Sequence, residues 1–288
     1  MVTIGNILAH SSLPRLETEM LLGFVLNKSR EYILTHPELI ISKNETLNFK
    51  KLEQKRHNNW PLAYLIKNQE FYGLNLKVSP AVLIPRPETE LIIDIFKDEL
   101  TKPPSDAKPF IIDVGTGSGA IIITLAQELK CLPKIFTKAF FLGIDISLPA
   151  LKIAKLNASK QELSRKIKFR KSNLLDKVPA RKFKDYDLFI AANLPYLTRK
   201  QIKDQPSIAR EPKIALDGGR DGLDYYRKLF KQLNTLPLRS LFLVCEIDPK
   251  QTIKISKLAK TLIRQSSSEI KKDLRKKNRF IIIKKAAL

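Results

Sequence analysis

Seven residues, Asp113-Val-Gly-Thr-Gly-Ser-Gly119, and a tetrapeptide further on, Asn193-Leu-Pro-Tyr196, have the types and spacing in this chain best suited to chemistry. The first group continues the apolar run that starts at Phe110 and precedes Ala120-Ile-Ile-Ile-Thr-Leu-Ala126. A strand, a glycine turn and a helix start are thus written in order. The second group closes another apolar run, Tyr186–Ala192. Loops at the carboxyl ends of two strands in one parallel sheet face the same crevice. One loop suits a nucleoside and the other a planar amide or amine, and the pair points to methyl transfer onto nitrogen.

Gly115 and Gly117 can take backbone angles closed to other residues, and Gly119 lets a neighbour come close to the helix start. The Gly-x-Gly-x-Gly spacing is one residue tighter than the dinucleotide fingerprint. It crowds a pyrophosphate but suits the uncharged ribose and amino-acid arm of S-adenosylmethionine. Asp113 is placed to receive a cationic amino group. Taken alone, the loop also reads as a plain tight turn. The next expected strand, Ala139–Asp145, ends in a carboxylate 26 residues beyond Gly119. There Asp145 can accept both ribose hydroxyls, or serve as N-cap for a helix beginning near Ser147. After the third strand, Asn173 is placed to bond the adenine edge and Leu174 to cover its face.

An amide or aromatic amino nitrogen is a poor nucleophile because its lone pair is delocalised. Acceptors that bind both its hydrogens turn that lone pair toward the methyl group. The Asn193 side-chain oxygen and the Leu194 carbonyl are candidates for those acceptors. Pro195 restricts Leu194 to extended angles and so aims its carbonyl, and Tyr196 offers a flat face for stacking. The rate would come from positioning and electrostatics, with no covalent intermediate. An ordinary Asn-x-Pro turn is the better account of the isolated tetrapeptide, and it gives way to the reactive reading only behind the nucleoside site.

The elements that must hold these groups follow from periodicity. Strands are expected at 109–114, 139–145, 166–171, 186–192 and 241–247, with helices near 119–130, 147–159, 222–233 and 250–264. That alternation predicts a parallel sheet covered by helices on both faces. The tail changes pattern: Ser268–Leu274 and Arg279–Lys285 flank a short polar turn and read as an antiparallel edge hairpin whose lysines discourage edge-to-edge pairing. Upstream, residues 3–65 carry helical spacing, with Ile4, Ile7 and Leu8, then Leu16, Met20, Leu21, Phe24 and Val25, then Leu47, Leu52 and Trp60 on the apolar faces of a small bundle. Residues 70–84 alternate as a hairpin punctuated by Gly73 and Pro80. After Pro85-Arg-Pro87, Glu88-Thr-Glu90 should open a helix whose dipole its carboxylates suit. The expected fold is α/β, a Rossmann-like, seven-stranded, mostly parallel sheet with an antiparallel edge hairpin, behind a helical bundle. The expected divisions are 1–69, a hairpin linker over 70–85, and 86–288.

Composition sets outer bounds. At 288 residues, 43% hydrophobic and 28% charged, the chain is an ordinary globular one with room for two domains. Cys131 and Cys245 show no metal spacing and read as small buried hydrophobes of a reducing compartment. No stretch approaches the ~18 apolar residues of a membrane span, and the first residues lack the basic start and apolar core of a signal peptide. A cytoplasmic protein without a membrane partner or a metal is expected. The net charge of +23 is uneven: 10 basic against 7 acidic residues over 1–85, 42 against 22 over 86–288, and 13 against 2 over 250–288. Such a field favours an acidic partner and a weak nucleic-acid contact through the C-terminal region. A lysine-rich composition that raises every surface alike is the bland alternative.

On these motifs the chain resembles the class I methyltransferases, and most of all the peptide-chain release factor glutamine methyltransferase family. Leu83-Ile-Pro-Arg-Pro-Glu-Thr-Glu90, Asp113–Gly119, the Asn193 tetrapeptide and Glu211-Pro-Lys-Ile-Ala-Leu-Asp-Gly-Gly-Arg-Asp-Gly-Leu223 carry the likeness. With the helical region and hairpin it spans nearly the whole chain. The resemblance implies methylation of the side-chain amide nitrogen of the glutamine in the Gly-Gly-Gln motif of release factors. It implies S-adenosylmethionine, leaving as S-adenosylhomocysteine, at Gly115, Thr116, Gly117, Ser118, Gly119, Asp145, Leu174 and Asn193. It also implies a substrate glutamine held by Asn193, Leu194, Pro195 and Tyr196. A monomer is expected, whose near-neutral region 1–69 recognises the release factor.

Two departures stand out. Leu194 replaces the first proline of the usual Asn-Pro-Pro-Tyr but retains the carbonyl, with less rigidity. Asn173 stands where many relatives have an acid, yet its oxygen still accepts a bond from an amino group. Asn-Leu-Pro-Tyr is also typical of ribosomal RNA adenine dimethyltransferases, so an adenine amino group in RNA or DNA is the rival substrate. Those enzymes resemble a catalytic domain followed by a helical one and lack the Leu83 and Glu211 motifs. A catalytically silent RNA-binding module is the second rival, and Asn193, Pro195 and Tyr196 argue against it.

Overall fold

Continuous apolar runs form strands buried on both faces, and the chain's longest such runs build the middle of one sheet. The computed structural model describes residues 1–102, 108–179 and 182–286. Strands β1 (Asn68–Phe71) and β2 (Leu74–Lys77) make a separate small hairpin. The central sheet contains β3 (Lys108–Val114), β4 (Phe140–Asp145), β5 (Ile167–Lys171), β6 (Tyr186–Ala192), β7 (Ser240–Glu246), β8 (Ser267–Lys272) and β9 (Asn278–Lys285). Its order is β5-β4-β3-β6-β7-β9-β8; it is parallel from β5 to β7, as the alternation predicts, and antiparallel at the β9 and β8 edge, as the tail's hairpin pattern predicts.

Period-two alternation distributes the side chains between two cores. Phe110, Ile112 and Val114 face a layer with Tyr226, Leu229 and Phe230 of the helix Asp224–Thr235 and Ile255 of the helix Thr252–Leu262. Ile111, Ala191 and Val244 face the other layer, with the helices Leu91–Leu100 and Ala120–Glu128. Both cores are closed by large apolar side chains, and T-shaped ring pairs such as Phe96 with Phe242 lie inside.

The chain divides into two compact units, Met1–Asn68 with Gln205–Arg210, and Gln69–Asp204 with Glu211–Leu288. The first is helical, over Ile4–His10, Arg15–Leu26, Arg30–Thr35, Lys43–His57 and Leu62–Leu65. Thr3 and Ser42 open two of these helices with capping boxes. Its core gathers Ile4, Leu21, Leu22, Ile33 and Phe49. Leu16, Phe24 and Leu47, expected on the apolar faces, are exposed instead. On the helix Arg15–Leu26, which carries Leu16 and Phe24, the physical reason is a buried carboxylate: Glu19 takes Arg15 at 2.8 Å and Arg30 at 2.6 Å, and Thr18, Glu19 and Leu22 face inward. The segment Gln205–Arg210 joins this unit through Arg210, whose guanidinium lies 5.2 Å over the Trp60 ring.

Two further expectations are corrected. The hairpin ends at Lys77 rather than 84, because Pro80 cannot donate to a ladder. The helix after Pro85 begins as a 3₁₀ turn, Pro87–Glu90, and becomes α-helical only at Leu91. Among the described residues no helix is long and apolar enough to cross a membrane, and no cluster of His, Cys, Asp and Glu could hold a metal ion.

Candidate active site

The strand order reverses direction between β3 and β6, and the crevice at their carboxyl ends is where open α/β sheets bind ligands. The glycine loop follows β3 and the tetrapeptide follows β6, and both line one cavity. A Cβ built on Gly115 would stand 3.0 Å from Leu194 Cδ2 and 4.0 Å from the Asn193 carbonyl, so the two loops touch.

The loop is anchored to the neighbouring strand. Gly115 N and Thr116 N both donate to the Ile144 carbonyl at 2.9 Å, and Gly117 N donates to Asp145 Oδ2 at 2.9 Å. Gly119 packs against protein rather than ligand: its missing Cβ would meet Ile123 Cδ1 at 2.7 Å and Ala154 Cβ at 3.2 Å. Thr116 and Ser118 are buried and line the cavity. Asp145 lines it too, its other oxygen accepting Ser147 N at 2.8 Å. Burial pushes its carboxyl above the usual range against those backbone donors. The N-cap of the helix Leu148–Lys160 is Ser147, not Asp145, which leaves the aspartate facing the cavity. Leu174, at φ +51°, and exposed Asn173 line the same wall. A left-handed leucine is uncommon, and such conformations cluster at ligand sites.

Asp113 lies elsewhere. It is buried beneath the loop, accepts the Thr116 hydroxyl at 2.6 Å and is not among the residues lining the cavity. Burial pushes its carboxyl up to about 7, against the Thr116 bond.

On the tetrapeptide side, Asn193 Nδ2 donates to Glu246 Oε2 at 2.9 Å and to Thr89 Oγ1 at 3.1 Å. The Thr89 hydroxyl in turn donates to Glu246 Oε2 at 2.6 Å, and the Tyr196 hydroxyl to Glu246 Oε1 at 3.0 Å. Asn193, Leu194 and Pro195 line the cavity, whereas Tyr196 packs toward the core below and Tyr225 supplies the aromatic wall. Burial holds the Tyr196 phenol well above its ordinary value, with the Glu246 charge adding to it. Burial also raises the Glu246 carboxyl, opposed by the Thr89 and Tyr196 bonds and by the Arg279 charge.

The two distinctive motifs meet beside these groups. Glu211, buried, accepts Ile84 N at 3.1 Å and pairs with Arg86. Leu83, Pro85 and Arg86 from one motif and Pro212, Ile214 and Ala215 from the other line the cavity. Gly218 N donates to the Leu197 carbonyl at 2.8 Å, and Gln251 Nε2 to the Tyr196 carbonyl at 2.8 Å, so the backbone after Pro195 is clamped from outside. Sequence reasoning did not single out Glu246, Gln251 or Thr89 as site residues. The available signal for Glu246 is a carboxylate closing an otherwise apolar strand, the same signature that marks Asp145.

Known proteins match over both units. Residues 106–284 match the family described as "Methyltransferase domain", and residues 5–66 match "PrmC N-terminal domain". A "Release factor glutamine methyltransferase" of Dictyoglomus turgidum is 40% identical over 219 residues, 76% of this chain and 73% of the relative. One of Bacillus subtilis is 32% identical over 268 residues, 91% of this chain and 88% of the relative. Among solved structures, the hMettl16 catalytic domain in complex with a MAT2A 3′UTR hairpin aligns with a TM-score of 0.55 at 16% identity over 86% of this chain and 82% of that one, a likeness of fold alone.

Proposed function

The chain belongs to the release factor glutamine methyltransferase family, and we propose that its two loops divide the labour of methyl transfer from S-adenosylmethionine to the glutamine of a release factor's Gly-Gly-Gln motif. In this reading Gly115, Thr116, Gly117, Ser118, Asp145, Asn173 and Leu174 would hold the cofactor, with Gly119 letting the helix start pack closely behind them. The cradle suits it: Gly115 and Gly117 lie at φ +74° and +54°, and Asp145 presents a carboxylate to the same cavity. When bound there, S-adenosylmethionine supplies an electrophilic methyl group on a sulfonium.

The chain's own residues do the rest. The Asn193 side-chain oxygen and the Leu194 carbonyl accept the two hydrogens of the glutamine amide and turn its lone pair across the cavity. Pro195 fixes the Leu194 carbonyl. Tyr225 and Leu194 exclude water on either side of the amide. As the nitrogen gains a methyl it loses one hydrogen as a proton to solvent, so no residue need become covalently attached. Orientation of this kind contributes several kcal/mol, about 7–11 in well-aligned intramolecular cases. The helical region 1–69 recognises the release factor. The 13 basic residues against 2 acidic ones over 250–288 suit a weak contact with nucleic acid nearby. The chain acts as a monomer, in the cytoplasm where translation ends.

The observation that carries this reading is the contact of the glycine loop with the tetrapeptide on one cavity wall. Incubation with S-adenosylmethionine and a release factor should add one methyl group to the Gly-Gly-Gln glutamine, read by mass spectrometry. Asn193→Ala should remove that transfer while retaining cofactor binding by calorimetry. Labelling of ribosomal RNA with none on the release factor would reverse the assignment.

A further inference from the structure

Glu246 is a buried carboxylate at the end of β7, and it accepts three side-chain hydrogen bonds. Thr89 and Asn193 bond its Oε2, and Tyr196 bonds its Oε1. An asparagine side chain can be turned by half a rotation at little cost, exchanging its donor and acceptor ends, unless its partners decide between them. An ionised carboxylate accepts only, so it fixes the Nδ2 end. Resting on the glutamine-methylating reading, we propose that Glu246 is the positioning residue of the site: its carboxylate holds Asn193 Nδ2 and the Tyr196 hydroxyl, and thereby commits Asn193 Oδ1 to the cavity as an acceptor for the substrate amide.

The surroundings fit that role. Thr89 completes a closed ring, accepting from Asn193 while donating to Glu246, so the threonine hydroxyl is oriented by the Oε2 acceptor. The charged groups facing Glu246 are Arg279 of β9, which favours its ionised form, and Glu88 of the preceding turn, which opposes it. Tyr196 stays neutral across the working range, because its phenol is held well above its ordinary value. A proton on Glu246 would replace an acceptor by a donor inside this ring. The Tyr196 hydroxyl must then turn to accept that proton, or a donor must leave Oε2, and with the charge gone the hold on Asn193 Nδ2 weakens enough for Asn193 to turn. Since burial raises the Glu246 carboxyl, the proton arrives as pH falls, above the usual carboxylate range.

The test uses the full chain with S-adenosylmethionine and a release factor over a pH series. Glu246→Gln has the same shape but one acceptor and one donor end, so it cannot receive all three donors. Its kcat on the neutral plateau should fall by about 10²-fold, the scale of a small misplacement of a reacting group. KM for the release factor and the affinity for S-adenosylmethionine should stay near wild type. The acid limb of the wild-type kcat profile should be missing from E246Q. If E246Q does not fold, Tyr196→Phe carries the test: one bond to the carboxylate is lost, so the acid limb should move to higher pH. The Asn193 side-chain NH₂ signals of ¹⁵N-labelled protein report the same event without turnover, and should follow one acid titration in wild type. An E246Q plateau equal to wild type, an unmoved acid limb in Y196F, or Asn193 signals indifferent to pH would overturn the proposal. Failure of the wild-type chain to label a release factor would instead refute the function reading, and the Asn193 signals would still decide the role of Glu246.

Discussion

Asp113 and Asp145 both sit at strand ends beside the glycine loop, and their surroundings give them different work. Asp145 reaches the cavity while its oxygens hold Gly117 N and Ser147 N. Asp113 is sealed under the loop with the Thr116 hydroxyl, and burial pushes its carboxyl up to about 7. The folded chain therefore keeps a proton that the unfolded chain releases above about 4. Across that window the folded state binds more protons, so stability declines as pH rises, by at most about 1.4 kcal/mol per pH unit. Asp113→Asn keeps an acceptor for Thr116 without a charge to bury. Chemical denaturation at pH 5 and pH 8 should show wild type losing stability between the two and D113N losing much less. Parallel losses would place the burden on other groups. The meeting of the glycine loop and the tetrapeptide at one cavity was legible because strand-end loops of a parallel sheet converge by topology. Which of two neighbouring acids faces the ligand was not, because that depends on the loop's bonds to Ile144 from the next strand.

The elements read well where one period dominates. Four of the five parallel strands announce themselves by apolar runs, β5 by the alternation of Ile167 and Phe169 with basic residues, and the edge hairpin by its lysine-rich segments around a polar turn. The stretch 211–223 has no such period, and sequence offers only its glycines and acids. Its purpose appears in contacts distant in sequence, such as Glu211 with Ile84, 127 positions apart, and in how closely it presses on the tetrapeptide. Gly222, at φ +75°, comes so near that an added Cβ would lie 2.1 Å from the Tyr196 carbonyl and 2.2 Å from Gln251 Nε2. Gly222→Ala must therefore push the tetrapeptide or break its Gln251 bond. The transfer rate should fall by about 10²-fold, and melting should show a strain cost of about 1–3 kcal/mol. Gly73, at φ +74° with nothing within 4 Å of its missing Cβ, is the control. Gly73→Ala carries the backbone strain without the collision, so it should lower the melting temperature and leave the rate of the folded enzyme alone. Equal rates for the two variants would show that the 211–223 clamp has no part in catalysis.

At the scale of the whole molecule, charge is legible in the sequence, whereas the joining of Gln205–Arg210 to the helical unit is not. That joining rests on Arg210 meeting Trp60 and the Asn58 carbonyl, 152 positions away in the chain, and no periodicity foretells it. The charge map separates two kinds of association. Residues 1–85 carry 10 basic against 7 acidic residues and expose Leu16, Leu34, Ile40 and Leu47, which suits a protein partner held by apolar contact. Residues 86–288 carry 42 against 22, which suits a polyanion. Apolar contact hardly responds to salt, while each phosphate contact releases counterions and weakens steeply. Raising salt from about 50 to 200 mM should therefore leave KM for the release factor almost unchanged, while nucleic-acid affinity, read by fluorescence anisotropy, falls by up to about 10³-fold if six phosphates are engaged. A KM that climbs in step with the loss of nucleic-acid binding would mean the basic region 86–288 docks the release factor itself. The helical unit would then have to owe its place to something other than substrate recognition.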